Sequence, residues 1–237
     1  SFVESGIEVT GFPNVDVSNS VIDNCESGIK LWEVGSALIS DNIIYNNENY
    51  GISVYHSNAK IGEHNLIHNN RVGLFVSRKS NFSLGGSQNE PYQMITNNIQ
   101  NEVVFEYDSN PAYFRYNMIY DDNHQYSFVK CERVPSNPQN IVHVYDNYWG
   151  NAFVPDNDLS PVEIFNYLPI WNPGIPRDSD SGSDEEMYMS AKVNEDIQDF
   201  QTAEQIYKQI ISTYPESKYA KIAAKELLAL KVKSDQD

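Results

Sequence analysis

At 237 residues the chain is long enough for a sizeable core and for one or two domains. Its net charge of −17 leaves no basic face to replace counterions along a phosphate backbone, which argues against nucleic acid as a partner. No run reaches the roughly 18 apolar residues of a membrane span, and no signal peptide is legible.

Residues 1–171 carry 8 basic and 20 acidic side chains, so the acidity sits mainly there and reads first as a solubility charge. In chain order, Ser5-Gly6-Ile7-Glu8-Val9 is a partial copy of a pattern that recurs three times. Asn24-Cys25-Glu26-Ser27-Gly28-Ile29-Lys30-Leu31 returns as Asn46-Asn47-Glu48-Asn49-Tyr50-Gly51-Ile52-Ser53-Val54, and again as Asn69-Asn70-Arg71-Val72-Gly73-Leu74-Phe75-Val76. Glycines at 6, 28, 51 and 73 set a period of about 22 residues, in the range of solenoids. The first strand leaves no room for a cap before it, so sequence upstream of Ser1 is expected.

Alternation after each glycine puts Ile29, Leu31, Ile52, Val54, Leu74 and Val76 on an inner face. Val21-Ile22, Ile43-Ile44 and Leu66-Ile67 form a second apolar point of the repeat, and Leu38-Ile39 and Ile61 a third. Short strands at this spacing can wind into a coil whose turns stack as parallel strands. The glycine is expected to supply the left-handed or tight backbone of a corner. Asn24, Asn46 and Asn69 are expected to stack from coil to coil as a ladder.

Asn42-Ile43-Ile44-Tyr45-Asn46-Asn47 followed by Gly51-Ile52, with a close copy over 65–74, resembles the right-handed parallel β-helix family, the pectin-lyase-like solenoids. The resemblance covers about residues 1–171 and implies a mainly β fold with coils of roughly 22 residues. That fold hosts lyases, hydrolases, binding modules and adhesins, so it leaves function open.

Residues 81–91 read as a longer loop leaving the coil. Strands resume at Met94-Ile95, Val103 to Tyr107, Asn117 to Asn123 and Ile141 to Tyr145. Asn147-Tyr148-Trp149-Gly150 resembles a closing signature of such solenoids, with bulky aromatics covering the apolar cross-section. Residues 151–171 read as an irregular cap with Phe153, Leu159, Phe165, Leu168, Ile170 and Trp171, and the Pro-, Gly- and Ser-rich stretch 172–183 as a linker.

From Asp184 the period becomes helical. Ile197, Phe200, Ala203, Tyr207, Ile210, Ile211 and Tyr214 line one stripe, and Ser217 can cap a following helix. Ala191, Phe200, Ala203, Tyr207 and Pro215 resemble the tetratricopeptide repeat (TPR), over about one and a half units of residues 184–237. So short an array is expected to need other surface to bury its face, which makes a protein partner through 184–237 one expectation.

No catalytic constellation emerges. Asp121-Asp122-Asn123-His124 reads as a solvated turn, and two adjacent strand aspartates would face opposite ways. Asp156 and Asp158, with Asn157 and Ser160, have oxygen-ligand spacing for calcium but lack the glycine and distal glutamate of an EF-hand loop, so no cofactor is expected beyond that weak calcium candidate. His64 and His68 sit in strand and turn, where a spacing of four does not converge on a metal. Cys25 and Cys131 lie several coils apart, beyond the roughly 7 Å between Cα atoms that a disulfide allows, and are expected free.

The outward positions are more informative. Trp32 and Tyr55 are expected to neighbour each other on successive coils, with Phe75 diagonal to them and Lys30, Glu33 and His56 alongside. Such a row is a candidate sugar platform, because ring faces pack on sugar C–H faces while polar neighbours bond hydroxyls. Outward aromatics also stack simply to stabilise a sheet. Three functions follow. The first is a non-catalytic extracellular or cell-surface module that binds polysaccharide or builds a scaffold. The second is a fragment of a polysaccharide lyase or hydrolase with its catalytic coils upstream. The third is an interaction module acting through the helical repeat.

Overall fold

A computed structural model of the chain describes residues 3–85, 93–121, 124–150, 152–168, 170, 184–196, 200–215 and 217–234. It separates into two compact units, Ser1–Asn172 and Pro173–Asp237. The first is a parallel β-solenoid, in which each coil contributes a strand to up to three sheets.

Sheet A has seven strands, from Val3–Thr10 through Cys25–Trp32, Tyr50–Tyr55, Val72–Ser77, Asn101–Glu106 and Val129–Glu132 to Leu159–Ser160. Sheet B begins at Asn14–Ser18 and ends at Pro111–Phe114, and sheet C begins at Val21–Asp23 and ends at Asn117–Tyr120, with five strands each. Every strand pairs in parallel with the equivalent strand one coil on. Ile29, Leu31, Ile52, Val54, Leu74 and Val76 are fully buried, as the alternation requires. Ile39 and Ile61 of sheet B and Ile44 and Ile67 of sheet C complete the core.

The corners differ from the sequence expectation by one residue. Asn24, Asn46 and Asn69 take left-handed backbone, φ 55°, 54° and 55°, with exposed side chains. Asparagine tolerates that region because its short side chain bonds locally. The residue after each one turns inward, and it is this second position that carries the ladder. Asn47 Nδ2 donates to Asn70 Oδ1 at 2.8 Å and Asn70 Nδ2 to Asn98 Oδ1 at 3.1 Å. Glu102 closes the column by accepting from Asn98.

A second ladder runs through Asn42, Asn65, Gln93, Asn117 and Asn147. A third, of Ser57, Ser80 and Ser109 hydroxyls, accepts the backbone N–H groups of Val34, Ser57 and Ser80. Asp41, His64, His56 and Lys79 provide the left-handed residue at these other corners. At most of these corners a left-handed residue is followed by a buried polar side chain that bonds the neighbouring coil, whereas Ser109 ends a short 3-10 helix, Tyr107–Ser109.

The repeated glycines also have a different role. Gly28, Gly51 and Gly73 lie within sheet A strands without positive φ. A Cβ on Gly28 would stand 2.6 Å from the Gly51 carbonyl oxygen, and one on Gly51 would stand 2.6 Å from that of Gly73. They are required by close approach between coils rather than by a corner.

Residues 81–84 belong to a strand and not to the expected loop: Asn81–Leu84 pairs with Asn58–Ile61 and buries Phe82 and Leu84. Residues 86–92 lie outside the described residues. The expected cap at 151–171 is partly regular. Leu159–Ser160 adds the seventh strand of sheet A, and Phe165–Asn166 pairs with Val142–His143. Trp149 is buried and stacks on Phe153 at 5.2 Å, whereas Leu168 and Ile170 are exposed. Burying Leu159, Ile164 and Phe165 under one more partial coil covers the apolar end better than an irregular cap could. Trp171 and the proposed linker lie outside the described residues.

The second unit holds three helices, Asp184–Asp196, Phe200–Thr213 and Lys218–Ser234, packed on one another. Tyr188, Ala191, Ala203, Tyr207 and Ala223 are fully buried, so the three helices share a core. Tyr188 on the first helix supplies much of it. Tyr207 donates to Glu195 at 2.6 Å and Lys192 contacts Glu195 at 3.1 Å, so the polar groups within this core are partnered. Ser217 caps the last helix by accepting from Ala220 N–H.

Cys25 and Cys131 are buried and unbridged. Burial raises both thiol pKa values, that of Cys131 to about 12. The thiolate is the reactive form, so both should be inert to Ellman's reagent at neutral pH and react fully once guanidinium unfolds the chain. Rapid labelling of the native protein would show that one of these coils opens.

Candidate functional site on sheet A

The outer face of sheet A brings together the three aromatic residues that the sequence singles out. Register places Trp32 beside Tyr55 and Tyr55 beside Ser77, while Phe75 stands in the adjacent column next to Ser53. The Trp32 and Tyr55 rings are 5.5 Å apart, and those of Tyr55 and Phe75 are 5.8 Å apart. All three are half-buried, so the row keeps solvent-facing ring surface.

Tyr50, which the sequence reading leaves aside, extends the row by stacking on Phe75 at 5.0 Å. Burial and then the neighbouring Tyr50 raise the Tyr55 pKa to about 12, so its hydroxyl stays neutral at all ordinary pH. Small Ser53, itself buried, lies between Lys30 and Phe75 in register and gives the rings room to lie over the strands.

The polar residues expected alongside divide. Lys30 points outward and pairs with Glu8 at 3.1 Å. Glu33 lies off the sheet, at the left-handed corner with φ 54°, where it and His56 line a shallow depression of about 330 Å³. Arg78 takes the place expected of them: from two coils away its guanidinium sits 4.8 Å over the Trp32 ring.

Beyond Phe75 the sheet dips where Val104 succeeds it in register, then rises at Lys130. This forms a groove of about 290 Å³ lined by Tyr50, Phe75, Arg71, Gln100, Lys130 and Glu132. The aromatic row therefore runs along the solenoid axis into a polar groove. Glu106 and Glu132 are register partners on adjacent coils, a carboxylate pair absent from the sequence reading. Glu106 is held by Arg133 at 2.8 Å and by the Arg78 N–H at 2.9 Å, and Glu132 by Lys130 at 2.8 Å. Counting coils of about 22 residues hides this pair, because bonds across the fourth turn span 28 residues.

The other candidates do not converge on one site. Asp158 is fully buried, accepts from Val154 N–H and has His124 Nε2 at 2.6 Å, a close contact that is off the line of a hydrogen bond. Asp156 on the same short helix, Pro155–Asp158, is exposed, so the two carboxylates stand in different environments. Asp121 is buried rather than solvated, and Asp122 and Asn123 lie outside the described residues. His64 pairs with Asp41 at 2.8 Å, and His68 stacks on Tyr45 at 5.3 Å. Among the described residues no group of three His, Cys, Asp or Glu side chains is placed to hold a metal ion.

Residues 3–90 match the family model described as right handed beta helix region. The match covers the first coils, and the later ones continue the same parallel register through to Leu159–Ser160. No curated protein and no solved structure matches the chain.

Proposed function

We propose that the outer face of sheet A is a non-catalytic carbohydrate-binding surface, on a protein that works outside the cell or at its surface. The observation that carries this reading is the continuous row Trp32, Tyr55, Phe75 and Tyr50 leading into a groove with charged and amide walls. Apolar ring faces suit sugar C–H faces, and the neutral Tyr55 hydroxyl can donate to a sugar oxygen. A calcium ion at Asp156 and Asp158 would be a peripheral feature, remote in sequence from this row.

Glycan-array or calorimetric binding by the full chain tests the reading. Trp32→Ala with Tyr55→Ala should weaken binding at least tenfold, roughly 1.4 kcal/mol, with the circular dichroism spectrum retained. Undiminished binding by a folded double variant would sink the platform.

Adjacent Glu106 and Glu132 give the lyase or hydrolase reading a specific basis. Yet Glu106 is buried and held by two donors, an arrangement that suits an anchor for Arg78 and Arg133 better than a proton-transfer group. A reducing-end assay on neutral and acidic polysaccharides separates the readings, and turnover abolished by Glu132→Gln would establish the enzyme. For the helical unit, a TPR-like pairing of helices that presents a surface to a protein partner is the corresponding proposal, supported by the core that its three helices share.

A further inference from the structure

The outer face of sheet A is polarised along the solenoid axis. Its first three strands and their corners carry Glu4, Glu8, Glu26, Glu33 and Glu48, all exposed, and Lys30 is the one Lys or Arg before Lys60. Strands four to six and their corners bring Arg71, Arg78, Lys79, Lys130 and Arg133. The acids of those strands are committed: Glu106 to Arg133, Glu132 to Lys130, and Glu102 to the asparagine ladder. The aromatic row lies between an acidic end and a basic end.

Such a face is complementary to itself. A two-fold axis parallel to the strands, between Tyr50–Tyr55 and Val72–Ser77, sets strand one against strand six of a second copy, two against five, and three against four. The outward column Glu8, Lys30, Ser53, Phe75, Val104, Lys130 is continuous in register. Under that axis Glu8 meets Lys130, Lys30 lies over the dip at Val104, and Phe75 enters the space above Ser53. In the next column Tyr55 faces Ser77. On one rim Glu48 faces Arg71, each standing just before its strand. Acids thus meet bases at the ends, and large side chains meet small ones at the centre. Six strands about 4.8 Å apart and about 20 Å long cover roughly 500 Å², which places the pair among weak, reversible interfaces.

We propose that the outer face of sheet A pairs with the same face of a second copy, as a reversible dimer with antiparallel solenoid axes, steered by the opposite charges of its two ends. The pairing stands independently of the carbohydrate reading. It covers the same rings, so a glycan bound there and the second copy exclude each other.

The test is sedimentation velocity of the full chain from about 1 μM to 1 mM at two salt concentrations. A dimer with a dissociation constant of about 10–100 μM is expected, weakening as salt rises. Glu8→Lys and Lys130→Glu should each weaken self-association about tenfold or more, because each sets like charges opposite one another twice. An equimolar mixture of the two variants should restore pairing to within about threefold, because both contacts of the mixed dimer again join opposite charges. Both side chains reach solvent, and the ion pairs they make within the chain are surface pairs of little worth, so both variants should keep the native melting temperature.

A chain that stays monomeric throughout would overturn the proposal. So would a dimer indifferent to both substitutions, or one that the mixture fails to restore, since another surface would then hold it.

Discussion

Gly51→Ala is expected to destabilise the solenoid by about 3 kcal/mol, more than a surface alanine substitution has any right to cost. The added Cβ would meet the Gly73 carbonyl oxygen at 2.6 Å, Ile67 Cγ2 at 2.7 Å and Asn70 Nδ2 at 2.9 Å. The first of these is backbone held in the parallel ladder between Tyr50–Tyr55 and Val72–Ser77, so it cannot retreat without opening the coil. Ile67 and Asn70 are buried and have nowhere to go. For a unit of this size the melting temperature should drop by about 6–12 °C, read by calorimetry. Gly62→Ala is the control: the nearest atoms lie 3.7 Å from its Cβ, so the change should stay within about 1 kcal/mol. Equal stability of the two variants would mean that neighbouring coils are not packed this closely.

Asn70→Ala and Asn69→Ala should differ sharply although the residues are adjacent. Asn70 Oδ1 accepts from Asn47 N and Nδ2 at 3.1 and 2.8 Å, and Asn70 Nδ2 donates to Ile44 O, His68 O and Asn98 Oδ1. Alanine there strands several buried polar groups on three coils, at an expected cost of about 3–5 kcal/mol. Asn69 points into solvent, and alanine there loses only its tolerance of φ 55°, about 1 kcal/mol. Asn69→Gly should be close to neutral, since glycine adopts that backbone freely. Urea denaturation of the three variants gives the order, and a larger loss at position 69 than at 70 would contradict the ladder.

These two positions also mark how far the chain could be read before folding. Its period, its inward apolar residues and the pairing of Trp32 with Tyr55 were legible, because alternation and a constant repeat length convert directly into faces and neighbours. A run such as Asn69-Asn70 shows that asparagine is wanted at a corner. Which one turns inward depends on a backbone dihedral that both tolerate, and only stacking of the coils selects it. The glycine column is similar: its spacing was plain, but its cause is a carbonyl oxygen 2.6 Å away that belongs to the next coil.

The same division holds at the site. Sequence determined the aromatic half of the sheet A face, where successive coils keep their length. Longer coils after Ser80 shifted the count, so Glu106 beside Glu132, and Val104 between Phe75 and Lys130, came from the register alone. Arg78 over Trp32 is a contact across two coils, set by side-chain reach rather than by any spacing along the chain. The helical unit was legible as a stripe, yet Tyr188 became its central residue only once the first helix packed on the other two. Local pattern is enough to wind the solenoid. What its surface offers to a ligand is decided by residues that meet only after the coils have stacked.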